Sequence, residues 1–304
     1  MRSVTFRAMD TDIDLAVAEP CDRSRVGLAF AAVEALFAHY DQALTRFSPE
    51  SELSLLNRAE GQPRVVPPLL FEAISRALQA ADASAGVFDP TVLDALLSAG
   101  YDRTFAIVSL ITPSARPAVP VPFAGAYRRI RLDPDTRTVY LPNGIHLDLG
   151  GIAKGMAVDA AVAILQPVQN FFVNAGGDLS ARGEDESGPW LVGVQNPFDP
   201  ATDLATIAAR DCSVATSSTV RRRWQRGGVE RHHLIDPRTG SSAESGLVAA
   251  TVVAADATSA DVLAKVALIL GRRSGRAFVE ASGAACLLVT DDGAVEMSSG
   301  FPLV

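Results

Sequence analysis

Apolar Ile13, Leu15 and Val17 alternate with Asp12, Asp14 and Ala16, the two-residue period of a strand with one buried face. A short apolar stretch at 4–6 precedes it. From Asp22, a good N-cap residue type, the spacing lengthens to that of a helix running through Phe37 and Ala43. Shorter helices are predicted over 51–59 and 68–85, the second stopped by Gly86. Pro90 opens another that Gly100 ends. Residues 103–126, with Pro113, Pro117, Pro120 and Pro122, read as a connector. Asp133-Pro134-Asp135 turns a hairpin within 130–141. Strands follow near 171–173, 190–195 and 205–208, and Gly227-Gly228 joins 221–226 to 229–235 as a hairpin. A strand over 248–253, helices over 259–270 and 272–281, and a hairpin of 286–290 with 294–297 complete the chain. Helices gather early and antiparallel hairpins late, with no repeat and no flexible linker. The pattern implies an α+β fold in one domain over 1–304, with mixed, largely antiparallel sheets flanked by helices.

Two glycine turns interrupt this pattern. Asp148-Leu-Gly-Gly-Ile-Ala-Lys-Gly155 feeds an apolar helix, and Val173-Asn-Ala-Gly-Gly-Asp178 follows a strand. A glycine turn at a helix start offers backbone N–H groups and the positive end of the helix dipole to an anion. With Lys154 and the nearby acids, this points to a phosphorylated ligand, with or without a metal ion. The spacing is neither the P-loop nor the dinucleotide fingerprint. Tight packing and turn formation by glycine remain the other reading.

Composition narrows the partners. At 48% hydrophobic and 20% charged, the 304 residues bury a large core and are not disordered. A net charge of −8 argues against non-specific nucleic-acid binding. No apolar run approaches the ~18–20 residues of a membrane span, and the first residues carry no apolar signal core. Cys21, Cys212 and Cys286 are widely spaced and odd in number, and are read as buried small residues. The expectation is a cytoplasmic protein without disulfides or membrane insertion.

Eight segments, in order, resemble the FAD:protein FMN transferase family, the ApbE-type flavin transferases. They are Phe6-Arg-Ala-Met9-Asp10-Thr11, Arg46-Phe47-Ser-Pro-Glu-Ser51-Glu52-Leu-Ser, Gly86-Val87-Phe88-Asp89-Pro90-Thr91, and Asp148 to Gly155 with Asp159. The rest are Val173 to Asp178, Ala215-Thr216-Ser217, His233-Leu-Ile-Asp236-Pro-Arg238-Thr239-Gly240, and Ala260-Asp261. The resemblance covers about Thr5 to Gly271. It implies Mg²⁺-dependent cleavage of FAD, release of AMP, and attachment of FMN through a phosphoester to a Thr or Ser in the flavinylation motif of an acceptor protein. It also implies His233 as base and Asp261 as a catalytic metal ligand, with Asp148 and the carbonyls of Gly151 or Ala153 completing the metal set. Gly150, Gly151, Gly155 and Lys154 would hold the diphosphate, while Met9 and Phe47 would lie against the flavin. Val87, Phe88 and Asp89 would surround the adenosine, and His232 would touch FAD mainly through its backbone. An FAD-binding relative without transferase activity, an FAD pyrophosphatase giving FMN and AMP, and a homodimer stay open.

Three positions depart from the family pattern. Asp10 stands where the family carries glycine, Lys265 where it carries a metal-ligating threonine, and Thr258 where many members carry an acid. Asp261 and Lys265 lie four apart on one helix face and can pair. The expectation is therefore weakened Mg²⁺ binding, or Mg²⁺ replaced by the Lys265 ammonium.

Overall fold

A computed structural model describes residues 1–108 and 123–304, and these form two compact units. Part of the expected connector, 109–122, lies outside the described residues. Before it, Phe105–Val108 is a short helix, and after it Ala126–Arg129 is a 3₁₀ turn.

The first unit comprises Met1–Asp41, Ala153–Ser218 and Gly246–Val304. Its centre is a sheet of Arg2–Ala8, Thr11–Val17, Phe171–Ala175, Asp178–Arg182, Cys212–Ser218, Leu247–Ala254, Ala285–Thr290 and Val295–Met297, in that spatial order. Each strand pairs antiparallel with its neighbours. Tight turns set this order. Met9 and Asp10 link the first pair with φ of 51° and 59°, and Ala8 faces Thr11. Two successive positive φ values define the primed hairpin turn, whose twist matches that of the strands. Gly176 and Gly177, at φ 64° and 102°, do the same between Ala175 and Asp178.

The helices Ala153–Leu165 and Ala257–Leu270 pack on one another and on this sheet. Leu247–Ala254 is buried at every position but its last, so its sequence shows no alternation. Sequence reasoning missed two strands, Asp178–Arg182 and Cys212–Ser218. Their side chains are small and hydroxyl-rich rather than apolar. Cross-strand hydroxyl pairs compensate: Ser180 Oγ lies 2.6 Å from Ser213 Oγ, and Thr216 Oγ1 lies 2.9 Å from Thr251 Oγ1.

The second unit comprises Gln42–Ile152 and Thr219–Ser245. Ser51 caps the helix Glu52–Asn57 by accepting from the Ser54 N–H at 3.0 Å, as its sequence predicts. Pro68–Ala83 forms the expected longer helix. The helix expected to open at Pro90 begins instead at Leu93. Asp89 Oδ1 accepts from the N–H and hydroxyl of Thr91 at 2.9 and 2.6 Å, holding 89–91 in a side-chain-bonded turn that delays the helix. That helix ends as predicted at Gly100, φ 98°. Its buried face meets Tyr101, Trp224 and Ile235 in a core where Trp224 Nε1 donates to the Ala99 carbonyl at 2.7 Å.

Every strand pairing among the described residues is antiparallel, and the fold is α+β, as expected. Cys286 is buried, whereas Cys21 and Cys212 are partly exposed, a correction to the uniform burial expected of them.

Candidate functional site

The unit boundary falls between Ile152 and Ala153, inside the first glycine turn, and each unit has its own candidate residues. In the second unit, Asp148 is fixed from several directions. Its N–H donates to the Pro90 carbonyl at 2.9 Å. The preceding residue, Leu147, exchanges two hydrogen bonds with the Asn57 side chain, at 2.8 and 2.9 Å. Asp148 Oδ2 lies 2.6 Å from Arg46 Nε, and both side chains are nearly buried. The Arg46 guanidinium sits 4.2 Å from the Phe47 ring centre and 4.6 Å from that of Tyr101, a cation held between two aromatic faces. Phe47 itself is partly exposed and so presents ring surface outward.

Asp148 Oδ1 accepts the Gly150 N–H at 2.7 Å. That N–H is engaged within the turn. Gly151 is partly buried and sits within the same turn.

Val87, Phe88 and Asp89 follow a glycine at φ 83°, Gly86, where a Cβ would lie 3.1 Å from the Tyr127 ring. Phe88 and Asp89 are buried and Val87 half-buried. Burial pushes the Asp89 carboxyl above the usual range, opposed by the hydrogen bonds from Thr91 and Gly125.

His232 ends the strand Val229–His232, and His233 follows it, half-buried. The His232 N–H donates to Ser242 Oγ at 3.0 Å, and that hydroxyl donates to the His232 carbonyl at 2.7 Å. Both backbone groups of His232 are thus engaged by Ser242. Its Nε2 donates to the Ala243 carbonyl at 3.0 Å, leaving Nδ1 buried without a donor. Burial lowers its pKa to about 4, so this imidazole is neutral at pH 7. After His233 the chain turns at Asp236, whose Oδ1 accepts the Arg238 N–H at 2.9 Å.

In the first unit, Ala153 opens the apolar helix with Lys154 in its first turn. Lys154 Nζ pairs with the buried carboxylate of Asp178, at the start of its strand. Gly155 faces the helix Ala257–Leu270, and a Cβ there would lie 2.8 Å from the Ala257 carbonyl oxygen and the Thr258 Cα. Close helix packing by itself requires a glycine here. Asp159, one turn later, accepts from the N–H groups of Ala257 and Thr258 at 2.7 and 3.0 Å, tying the two helices together. Met9, in its left-handed turn, donates its N–H to Asp41 Oδ2 at 3.0 Å.

Asp261 is 2% exposed, on the otherwise apolar buried face of its helix. Its Oδ1 pairs with Lys265 Nζ, and its Oδ2 is buried without a hydrogen-bond donor.

Mg²⁺ prefers several hard oxygen ligands in octahedral array. The expected set of Asp148, Gly151, Ala153 and Asp261 does not fit that demand well, because each carboxylate already faces a buried cation: Arg46 for Asp148 and Lys265 for Asp261. Among the described residues, no three His, Cys, Asp or Glu side chains are grouped so as to hold a metal ion. Sequence reasoning quoted Arg46 within a motif but gave it no role, and gave Asn57, Tyr101 and Ser242 none. The Arg46-Phe47 pairing of a cation with an aromatic ring was the one signal available.

The model of the ApbE family matches residues 9–288. An FAD:protein FMN transferase of Treponema pallidum is 30% identical, over 91% of this chain and 81% of that protein. One from Vibrio cholerae is 27% identical, over 88% of this chain and 81% of its own length. The crystal structure of the ApbE protein from Thermotoga maritima superposes with a TM-score of 0.85 at 28% identity, covering 99% of this chain and 97% of that one.

Proposed function

We propose that this chain, which belongs to the ApbE family, transfers the FMN half of FAD to a Thr or Ser hydroxyl of an acceptor protein. The observation that carries this reading is the family match over 9–288, together with relatives matched over 81% of their length that bear the name FAD:protein FMN transferase. In the reaction, the acceptor hydroxyl oxygen bonds to the phosphorus on the FMN side of the diphosphate. The bond from that phosphorus to the bridging oxygen breaks, and AMP leaves with the bridging oxygen and its electron pair.

His233 takes the hydroxyl proton, a task suited to an imidazole near neutral pH. Its neighbour His232, held neutral and hydrogen-bonded to Ala243 and Ser242, fixes the backbone from which His233 projects. Lys154, oriented by Asp178, supplies positive charge to the diphosphate at a helix start, with Gly151 and the first-turn N–H groups beside it. Phe47 and Met9 offer apolar surface to the isoalloxazine, and Val87, Phe88 and Asp89 line the adenosine side. Asp148 shapes the glycine turn that carries Lys154. We assign residues 1–304 to one functional domain, acting in the cytoplasm, where its free cysteines stay reduced.

His233→Ala tests the assignment. FAD binding, read by flavin fluorescence, should persist, while AMP release with acceptor present falls about 10²–10⁴-fold. Unchanged turnover would remove His233 from the mechanism.

A further inference from the structure

The geometry points to Lys265 as a built-in cation that occupies the place of a divalent ion at Asp261. Asp261 lies within Ala257–Leu270, a helix buried at ten of its positions and packed against Ala153–Leu165, Arg272–Ala281 and three strands of the central sheet. A lone carboxylate in such a setting is strongly unfavourable unless it is paired. Its pair comes from one turn further along the same helix. Lys265 Nζ meets Asp261 Oδ1 and also reaches the Asp261 carbonyl oxygen at 3.4 Å, so one ammonium spans two oxygens of the same residue. The two side chains are 14% and 2% exposed, which keeps water from screening the pair.

The consequence is electrostatic. An ammonium bound to Asp261 neutralises the charge that would attract Mg²⁺. The uncommitted Oδ2 is a single buried ligand atom beside a cation. A divalent ion enters only if Lys265 swings away, and the ammonium then has to find solvent or another anion. Lys265 thus performs locally one task of a metal: it places positive charge against the buried Asp261 carboxylate. Only the claim that this charge serves FAD turnover rests on the transferase reading.

The test is Mn²⁺ binding to the purified full chain without FAD or acceptor, followed by electron paramagnetic resonance, so its outcome is independent of transferase activity. Wild type, Asp261→Asn, Lys265→Thr, Lys265→Met and the double variant Lys265→Thr/Asp261→Asn are compared. Wild type should show no stoichiometric site that depends on Asp261. Lys265→Thr should gain one Mn²⁺ per chain with affinity raised about a hundredfold or more, the scale expected when a unit positive charge leaves a metal position. Lys265→Met, which removes the charge but fills the space, should gain it too, and either variant suffices if the other fails to fold. The double variant should lose the gain. A one-to-one Mn²⁺ site in wild type that Asp261→Asn abolishes would overturn the proposal, as would failure of both Lys265 variants to acquire one.

Discussion

Arg46 Nε lies 2.6 Å from Asp148 Oδ2, with the guanidinium between the rings of Phe47 and Tyr101. The pair pins the turn that leads into the Lys154 helix, so its loss should act on both stability and turnover. Removing one partner of a buried ion pair typically costs about 3–5 kcal/mol, because the other charge is left stranded. Arg46→Met should therefore lower the denaturation midpoint substantially. Arg46→Met/Asp148→Asn should recover much of the loss, since neither charge is then unpaired. Chemical denaturation of the two variants checks this, and equal losses would show that the pair contributes little.

Gly155→Ala should destabilise by about 1–3 kcal/mol through overpacking. The added Cβ meets backbone of the facing helix, at the Ala257 carbonyl and the Thr258 Cα, and neither can rotate away. The loss should appear in thermal unfolding of the protein without ligand. A variant of normal stability but weakened FAD binding would instead assign this glycine to the phosphate.

Asp10 explains one departure from the family pattern. Its φ of 59° is open to glycine and, among other residues, best tolerated by Asn and Asp. Asp10→Gly should change stability by no more than about 0.5 kcal/mol, whereas Asp10→Val should cost about 1–2 kcal/mol. Differential scanning calorimetry distinguishes the two outcomes.

His232 gives the fold a pH dependence with a definite sign. Its folded pKa of about 4 lies below its ordinary 6.5. Between these values the unfolded chain binds a proton that the folded chain refuses. Stability from this group is full above 6.5 and declines as pH falls toward 4, by an amount on the order of 2–3 kcal/mol. His232→Gln, whose amide can still donate to the Ala243 carbonyl, should flatten the stability profile across that window. An unchanged slope would assign the acid sensitivity to other groups.

The sequence made the hairpins and capped helices legible because their signals are local. Asp22, Ser51 and Gly100 mark helix ends, and Gly227-Gly228 marks a turn. Cys212–Ser218 escaped notice because a strand paired on both sides and rich in small hydroxyl residues carries no alternation. The helix after Pro90 started late because a side-chain hydrogen bond from Thr91 to Asp89 outweighed the proline signal. At the site, residue types were readable but their commitments were not. Nothing local tells that Ser242 takes both backbone groups of His232, or that Gly155 is required by a helix a hundred residues away. The Asp261–Lys265 pair was foreseeable because a four-residue spacing on one helix is itself local information.

The most direct measurement is the intact mass of an acceptor protein bearing a Thr or Ser flavinylation motif, incubated with this chain and FAD while AMP is quantified in parallel. Transfer predicts one FMN per acceptor, bound through its phosphate, and an equal amount of AMP. FAD split to AMP and free FMN with the acceptor unmodified would contradict it, and so would FAD recovered intact.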